Sequence, residues 1–313
     1  MLVTRIERLL RSRRLRALGA VFSVVVFALI VFELVRLWRD GALDLTEASW
    51  PAVAAALVLH GLAITGLGAV WPWTVRALGE APPRGLLPAF YVGQLAKYLP
   101  GGAWQYVGRA GLAVRLGLPL RTAGASMVVE TVCVLVALVP LVPLVLAADP
   151  AGALVAAGLC LALLAAGSLT RPALARRALR AALARAAGDD LAVAPAAVRG
   201  ATWRYLVVWA LAGSGFWLMG VGVAGASVDQ LPLYVGTFAI AWGAGFVVFF
   251  APGGVGVREA VMVGLLGPEI GAADALLVAT ASRAAFTVVD LVGGSTGLWL
   301  LRMVRRGDLV GPG

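Results

Sequence analysis

Residues 91–109, YVGQLAKYLPGGAWQYVGR, start as an apolar helix, break at Pro100-Gly101-Gly102 and resume as a second, amphipathic segment. Proline removes a backbone donor and glycine admits conformations closed to other residues, so a helix entering this stretch stops there. In lipid, an interruption survives only where other protein or a water-filled cavity satisfies the freed backbone groups. Residues 248–259, VFFAPGGVGVRE, repeat the pattern, with Pro252, Gly253 and Gly254 about half the chain beyond Pro100. Interrupted segments at corresponding positions of two halves are the sequence signature of a transporter-type binding site.

The surrounding composition sets the medium. At 61% hydrophobic and 13% charged over 313 residues, the chain is far more apolar than soluble domains, which run at about 45–50% and about 25%. It reads as an all-α polytopic membrane protein forming a single transmembrane domain over 1–313. The net charge of +10 sits in short loops beside apolar spans, where the positive-inside rule places it, and does not indicate nucleic acid. The basic residues 1–16 lead into an apolar stretch, 17–38, long enough to span and read as a retained anchor. Cys133 and Cys160 lie in apolar runs and predict neither disulfide nor metal site, and His60 has no companion ligand. No cofactor is expected. Of 26 basic residues, all but Lys97 are arginine, and this one lysine lies just before the first break.

Loop charges then orient the spans. Six arginines precede the first span, which places the N-terminus in the cytoplasm, and Asp40, Asp44 and Glu47 place the following loop outside. A second span, 50–75, returns inward with Trp71 and Trp73 as interfacial aromatics. The segment before Pro100 is too short to cross, and Arg109, Arg115 and Arg121 favour the side it started from. The first break is therefore read as a re-entrant hairpin opening to the cytoplasm. Spans follow at 122–146, 151–169, 203–225 and 275–301, the last ending in Arg302, Arg305 and Arg306. Parity makes the second broken unit a hairpin of opposite orientation. The expectation is about six spanning helices plus two re-entrant hairpins in an inverted repeat, where simple hydropathy counting finds seven to eight spans. Half one covers about 50–147 and half two about 203–302, joined by a basic cytoplasmic connection, 170–204. Within it, residues 176–187 read as a helix lying on the membrane.

Several charges fall inside apolar segments, where each costs about 2.5–3.5 kcal/mol on insertion scales and normally faces a partner or a wet cavity. They are Lys97, Glu130, Arg258, Glu259, Arg283 and Asp290, with Arg109 nearer a boundary. Arg283 and Asp290 share one face of the last span. One reading pairs them internally, Arg258 or Arg283 with Asp290 and Lys97 with Glu130, as packing devices only. The other gives charged broken helices a ligand. Helix N-termini after each break present free amides suited to an anion such as phosphate, with Lys97, Arg109 and Arg258 close by. Tyr98 and the breaks themselves complete that candidate lipid-phosphate site. Glu130, Glu259, Arg283 and Asp290 balance charge or carry protons. Tyr91, Tyr98, Trp104 and Tyr106 line a headgroup or acyl path, or simply pack.

With Lys97-Tyr98-Leu99-Pro100-Gly101-Gly102-Ala103-Trp104 through Gly108-Arg109, and Pro252-Gly253-Gly254-Val255-Gly256-Val257-Arg258-Glu259, the chain resembles the lysylphosphatidylglycerol synthase transmembrane region family, also called flippase-like integral membrane proteins. The resemblance covers essentially the whole chain. It implies movement of an aminoacylated phospholipid between leaflets, with the amino-acid transfer belonging to a separate soluble domain for which residues after the last span leave no room. The substrate class implied is an anionic or aminoacylated phospholipid, or a polyprenyl-linked lipid. The function expected is therefore a multi-pass, plasma-membrane, non-enzymatic lipid translocase with both termini cytoplasmic and membrane lipids as its partners. The competing expectation is a non-catalytic membrane partner of a lipid-modifying or glycosyl-transferring enzyme. A membrane enzyme finds no Ser/His/Asp set, metal cluster or paired carboxylates in support.

Overall fold

A computed structural model describes residues 48–98, 104–147, 149–169, 193–247 and 256–306, with residues 32, 35, 36, 39 and 254. Most of the first span, Pro100, Gly101, Gly102, Pro252, Gly253 and the basic residues 171–192 lie outside the described residues. Among those described the protein is all-helical: α1 (Trp50–Ala77), α2 (Leu86–Leu95), α3 (Trp104–Arg115), α4 (Leu120–Leu138), α5 (Pro150–Leu169), α6 (Pro195–Ala224), α7 (Leu231–Val247), α8 (Val257–Ile270) and α9 (Ala272–Arg306).

Five of these helical runs are long and apolar enough to cross a membrane: Trp50–Ala77, Leu120–Leu146, Pro195–Ala224, Val228–Val247 and Ala272–Val304. The protein is a multi-pass membrane protein. The helices flanking the first break are shorter. α2 has 10 residues and α3 has 12, so at about 1.5 Å per residue each covers roughly half of a ~30 Å hydrocarbon core. α7, read from the sequence as half of a hairpin, is with its preceding 3₁₀ turn long enough to cross alone. α6 starts at Pro195, inside the stretch read as connection. Proline suits the first helical turn, where its missing N–H has no partner to lose. α4 tightens into a 3₁₀ helix over Val139–Leu146, where Pro140 and Pro143 withhold amide donors from the α ladder.

Since lipid is as apolar as a side chain, helix association here depends on close packing and polar contacts. α1 and α6 form the longest pair and run antiparallel. The Ser49 amide donates to Gly222 O at one end (2.9 Å), and the Ala194 amide donates to Ala77 O at the other (2.8 Å). Small residues let them approach: a Cβ on Gly215 would lie 2.5 Å from His60 Nδ1, and one on Gly222 would lie 2.6 Å from Val53. α2 packs against α9 through the same device, Gly294 meeting Leu95 and Gly297 lying over Pro88 O. α7 packs in turn against the 3₁₀ segment at the end of α4, Gly236 against the backbone of Leu144 and Val145.

Trp71 departs from its reading as an interfacial aromatic. It is fully buried, its indole N–H donating to Ser126 Oγ on α4 at 3.0 Å. Only Trp73 of the two is exposed, with the Arg204 guanidinium stacked 3.6 Å from its ring centroid.

Candidate functional site

The two broken units, α2–α3 and α7–α8, meet at a cavity of about 50 Å³, room for a few water molecules. The first unit contributes Lys97 and Tyr98, from the 3₁₀ turn Ala96–Tyr98 that ends α2. The second contributes Trp242 on α7 and Arg258 and Glu259 at the start of α8, while α9 supplies Ser282, Arg283 and Thr287.

Among the described residues, three ion pairs organise the membrane charges. Arg109 on α3 grips Glu130 on α4 in a two-pronged contact, Nη1 to Oε1 at 2.8 Å and Nη2 to Oε2 at 2.5 Å, with the arginine side chain 3% exposed. Arg283 donates through Nε to Glu259 Oε1. Lys97 Nζ lies 2.6 Å from Asp290 Oδ2, which also accepts a 2.6 Å hydrogen bond from the Tyr98 hydroxyl. These partners correct both pairings expected from the sequence. Lys97 does not reach Glu130, because α2 packs against α9, so its end is delivered to Asp290. Glu130 instead meets Arg109 across the α3–α4 contact, and Asp290 receives neither Arg258 nor Arg283.

Arg258 is the remaining cation. Its guanidinium lies over the Trp242 ring at 3.6 Å from the centroid, held partly by a cation–π contact. Among the described residues its buried Nε has no hydrogen-bond partner and no carboxylate pairs with it. Glu259, next in sequence, turns away: beyond Arg283, its Oε2 accepts the Gly256 amide at 2.7 Å and caps α8. The backbone cradle expected at this helix start is thus partly used by the protein's own carboxylate. What faces the cavity is side-chain charge.

Of the sequence-derived site residues, the structure brings Lys97, Tyr98, Arg258, Glu259 and Arg283 to one cavity, with Asp290 directly behind Lys97 and Tyr98. Gly254 touches Arg258: a Cβ there would lie 2.8 Å from its Nε. Arg109 and Glu130 form a separate pair within the first half, packed under Trp71 and Phe90, whose rings lie 4.4 and 4.5 Å from the guanidinium carbon. Trp242, Ser282 and Thr287 were not singled out from the sequence. Thr287 lies between Arg283 and Asp290 at helical spacing, and that face of α9 was the available signal. His60 serves packing: it bonds Ala56 O at 2.7 Å and Ser282 Oγ at 3.1 Å and stacks 4.0 Å from Phe286.

Long apolar helices and a charged cavity between interrupted segments define a helical multi-pass membrane protein with a buried polar site. A family model described as the lysylphosphatidylglycerol synthase TM region matches residues 16–294, and the chain belongs to that family. No curated protein matches the chain.

Proposed function

We propose that this protein is a lipid translocase that binds the phosphate of an anionic membrane lipid in the cavity between its two broken units and lets the headgroup cross. The observation that carries this reading is Arg258, a cation that no carboxylate among the described residues pairs with, in a cavity walled by both halves. With Lys97, Arg258 and Arg283 set against Glu259 and Asp290, the site holds one positive charge more than it balances, which suits a singly charged phosphodiester. The cavity's size favours the phosphate itself, with acyl chains remaining in lipid.

In this reading each broken unit is a re-entrant hairpin and the two halves are inverted repeats. The antiparallel α1–α6 pair and the matched packing of α2 on α9 and of α7 on the end of α4 support that reading. Both termini face the cytoplasm of a plasma-membrane protein, in keeping with Arg76, Arg199 and Arg204 gathered where α1 ends and α6 begins. The protein performs no covalent chemistry. The Pro-Gly-Gly composition at 100–102 and 252–254 is that of a hairpin turn, while Arg109 with Glu130 holds the first hairpin rather than touching lipid.

The test is leaflet exchange of a fluorescent phosphatidylglycerol in proteoliposomes, read with a quencher confined to the outer leaflet. Wild-type protein is expected to expose the inner-leaflet probe, and Arg258→Ala to slow exchange by about tenfold or more, the effect of losing one charge-assisted contact. Full protection of the probe by folded wild-type protein across several headgroups would replace this reading with that of a membrane partner for a lipid-modifying enzyme.

A further inference from the structure

The three membrane carboxylates are satisfied very differently. Glu130 spends one oxygen on each arginine nitrogen it meets, and Glu259 divides its oxygens between Arg283 and the Gly256 amide. Asp290, only 1% exposed, receives both of its donors, Lys97 Nζ and Tyr98 OH, on Oδ2. Among the described residues its Oδ1, which is buried, has no hydrogen-bond partner. A buried carboxylate oxygen lacking a donor is an acceptor position left open inside the protein.

We propose that Asp290 is a proton-binding site linked to anion binding: a proton from solvent adds to Asp290, the Lys97 ammonium is released from it, and the freed ammonium binds the phosphodiester in the cavity. This rests on the anion-binding reading above. The exchange balances. One ion pair, Lys97 with Asp290, is replaced by another, Lys97 with phosphate, and the incoming negative charge arrives with one proton, so the net charge of the site is unchanged. An anion entering beside an ionised Asp290 would instead meet a carboxylate already holding the nearest ammonium. The other titratable or charged groups around Asp290 are Arg283 on its own helix, Arg258 and Glu259 from α8, Tyr91 from α2 and His60 from α1. α6 presents apolar Met219 to α9 near Ala285. Arg283 and Glu259 occupy each other, Tyr91 shares its hydroxyl with Thr65 at 2.7 Å, and His60 bonds Ser282.

The experiment measures binding to purified full-length protein in detergent with two probes whose single charge does not titrate near neutral pH. One is dioctanoyl phosphatidylglycerol and the other is glycerophosphoglycerol, its headgroup without acyl chains. For the wild type, affinity should fall as pH rises, by up to about tenfold per pH unit, the slope of one linked proton. A pH indicator in weak buffer should record one proton taken up per ligand bound. Asp290→Asn should keep the wild type's low-pH affinity at all pH values and take up no proton. Uptake with the lipid alone supports the proposal and assigns the phosphodiester to a membrane lipid; uptake with both supports it for that group from either source. Strong wild-type binding that is independent of pH, or a slope that survives in Asp290→Asn, overturns the proposal while leaving the anion site standing. Absence of wild-type binding at every pH overturns both. If Asp290→Asn fails to fold, the wild-type proton count decides alone: one supports the proposal and none overturns it.

Discussion

The two broken units lodge an arginine in the same way and then treat it differently. In the first, Arg109 of α3 lies against Gly93 of α2 and over the ring of Phe90, three residues before that glycine. In the second, Arg258 of α8 lies against Gly245 of α7 and over Trp242, again three residues before the glycine. An aromatic face and a glycine notch one turn apart make a slot for a guanidinium in both. The units diverge at the next helix. α4 offers Glu130 to Arg109 and closes the slot with a two-pronged ion pair, whereas α9 offers Arg283, which draws Glu259 away and leaves Arg258 without a carboxylate among the described residues. The same slot therefore serves as a lock in one half and as a holder for an uncompensated charge in the other.

The sharpest way to break this comparison is to remove each arginine. Arg109→Ala strands Glu130 in the interior and should destabilise the protein by about 3–5 kcal/mol. Arg258→Ala strands no partner and loses mainly its contact with Trp242, for less than about 2 kcal/mol. Unfolding free energies in mixed micelles measure both, and equal losses would erase the distinction between lock and holder.

The glycines sharpen it further. Gly93→Ala drives a methyl into the Arg109 side chain, which the ion pair prevents from yielding, and should destabilise by about 1–3 kcal/mol. Gly245→Ala places its methyl 2.6 Å from Arg258 Nε, and that guanidinium is free to shift toward the cavity. Its expected signature is an altered affinity for the phosphatidylglycerol probe with a smaller change in stability. The reverse pattern would exchange the roles of the two units. The smallest effect belongs to Ser282→Ala, which leaves His60 Nε2 unpartnered for about 1 kcal/mol and, because this cavity-wall hydroxyl is engaged by His60, should slow leaflet exchange far less than Arg258→Ala does. A lost exchange rate there would mean that polar contact from the cavity to His60 takes part in transport.

Much of this arrangement is legible in the residues. Helix-breaking prolines and glycines and misplaced charges are local signals, so the two interruptions, the charged face of α9 and Lys97 as a buried charge in need of a partner can be read from the chain. Ion-pair partners are not local. Which carboxylate Lys97 meets depends on α2 packing against Gly294 and Gly297 of α9 rather than against α4, and a glycine's choice of neighbour leaves no mark in its own sequence context. Trp71 shows the same limit: a tryptophan near a helix end reads equally well as a membrane-surface anchor or as a core residue, and only the placement of Ser126 and Arg109 decides. The contrast between Arg109 and Arg258 was hidden for a related reason, because both occur early in an amphipathic segment after a break and differ only in what the following helix brings.

Lys97 carries a practical consequence of its own. As the sole lysine in the chain, it is the one side-chain primary amine, and it stands at the cavity wall with 16% of its side chain exposed. Amine-directed reagents, which ordinarily scatter over a protein's surface, are here confined to this position and the chain's N-terminus. The molecule thus carries a built-in chemical reporter, whose rate of acylation follows how often the ammonium leaves Asp290.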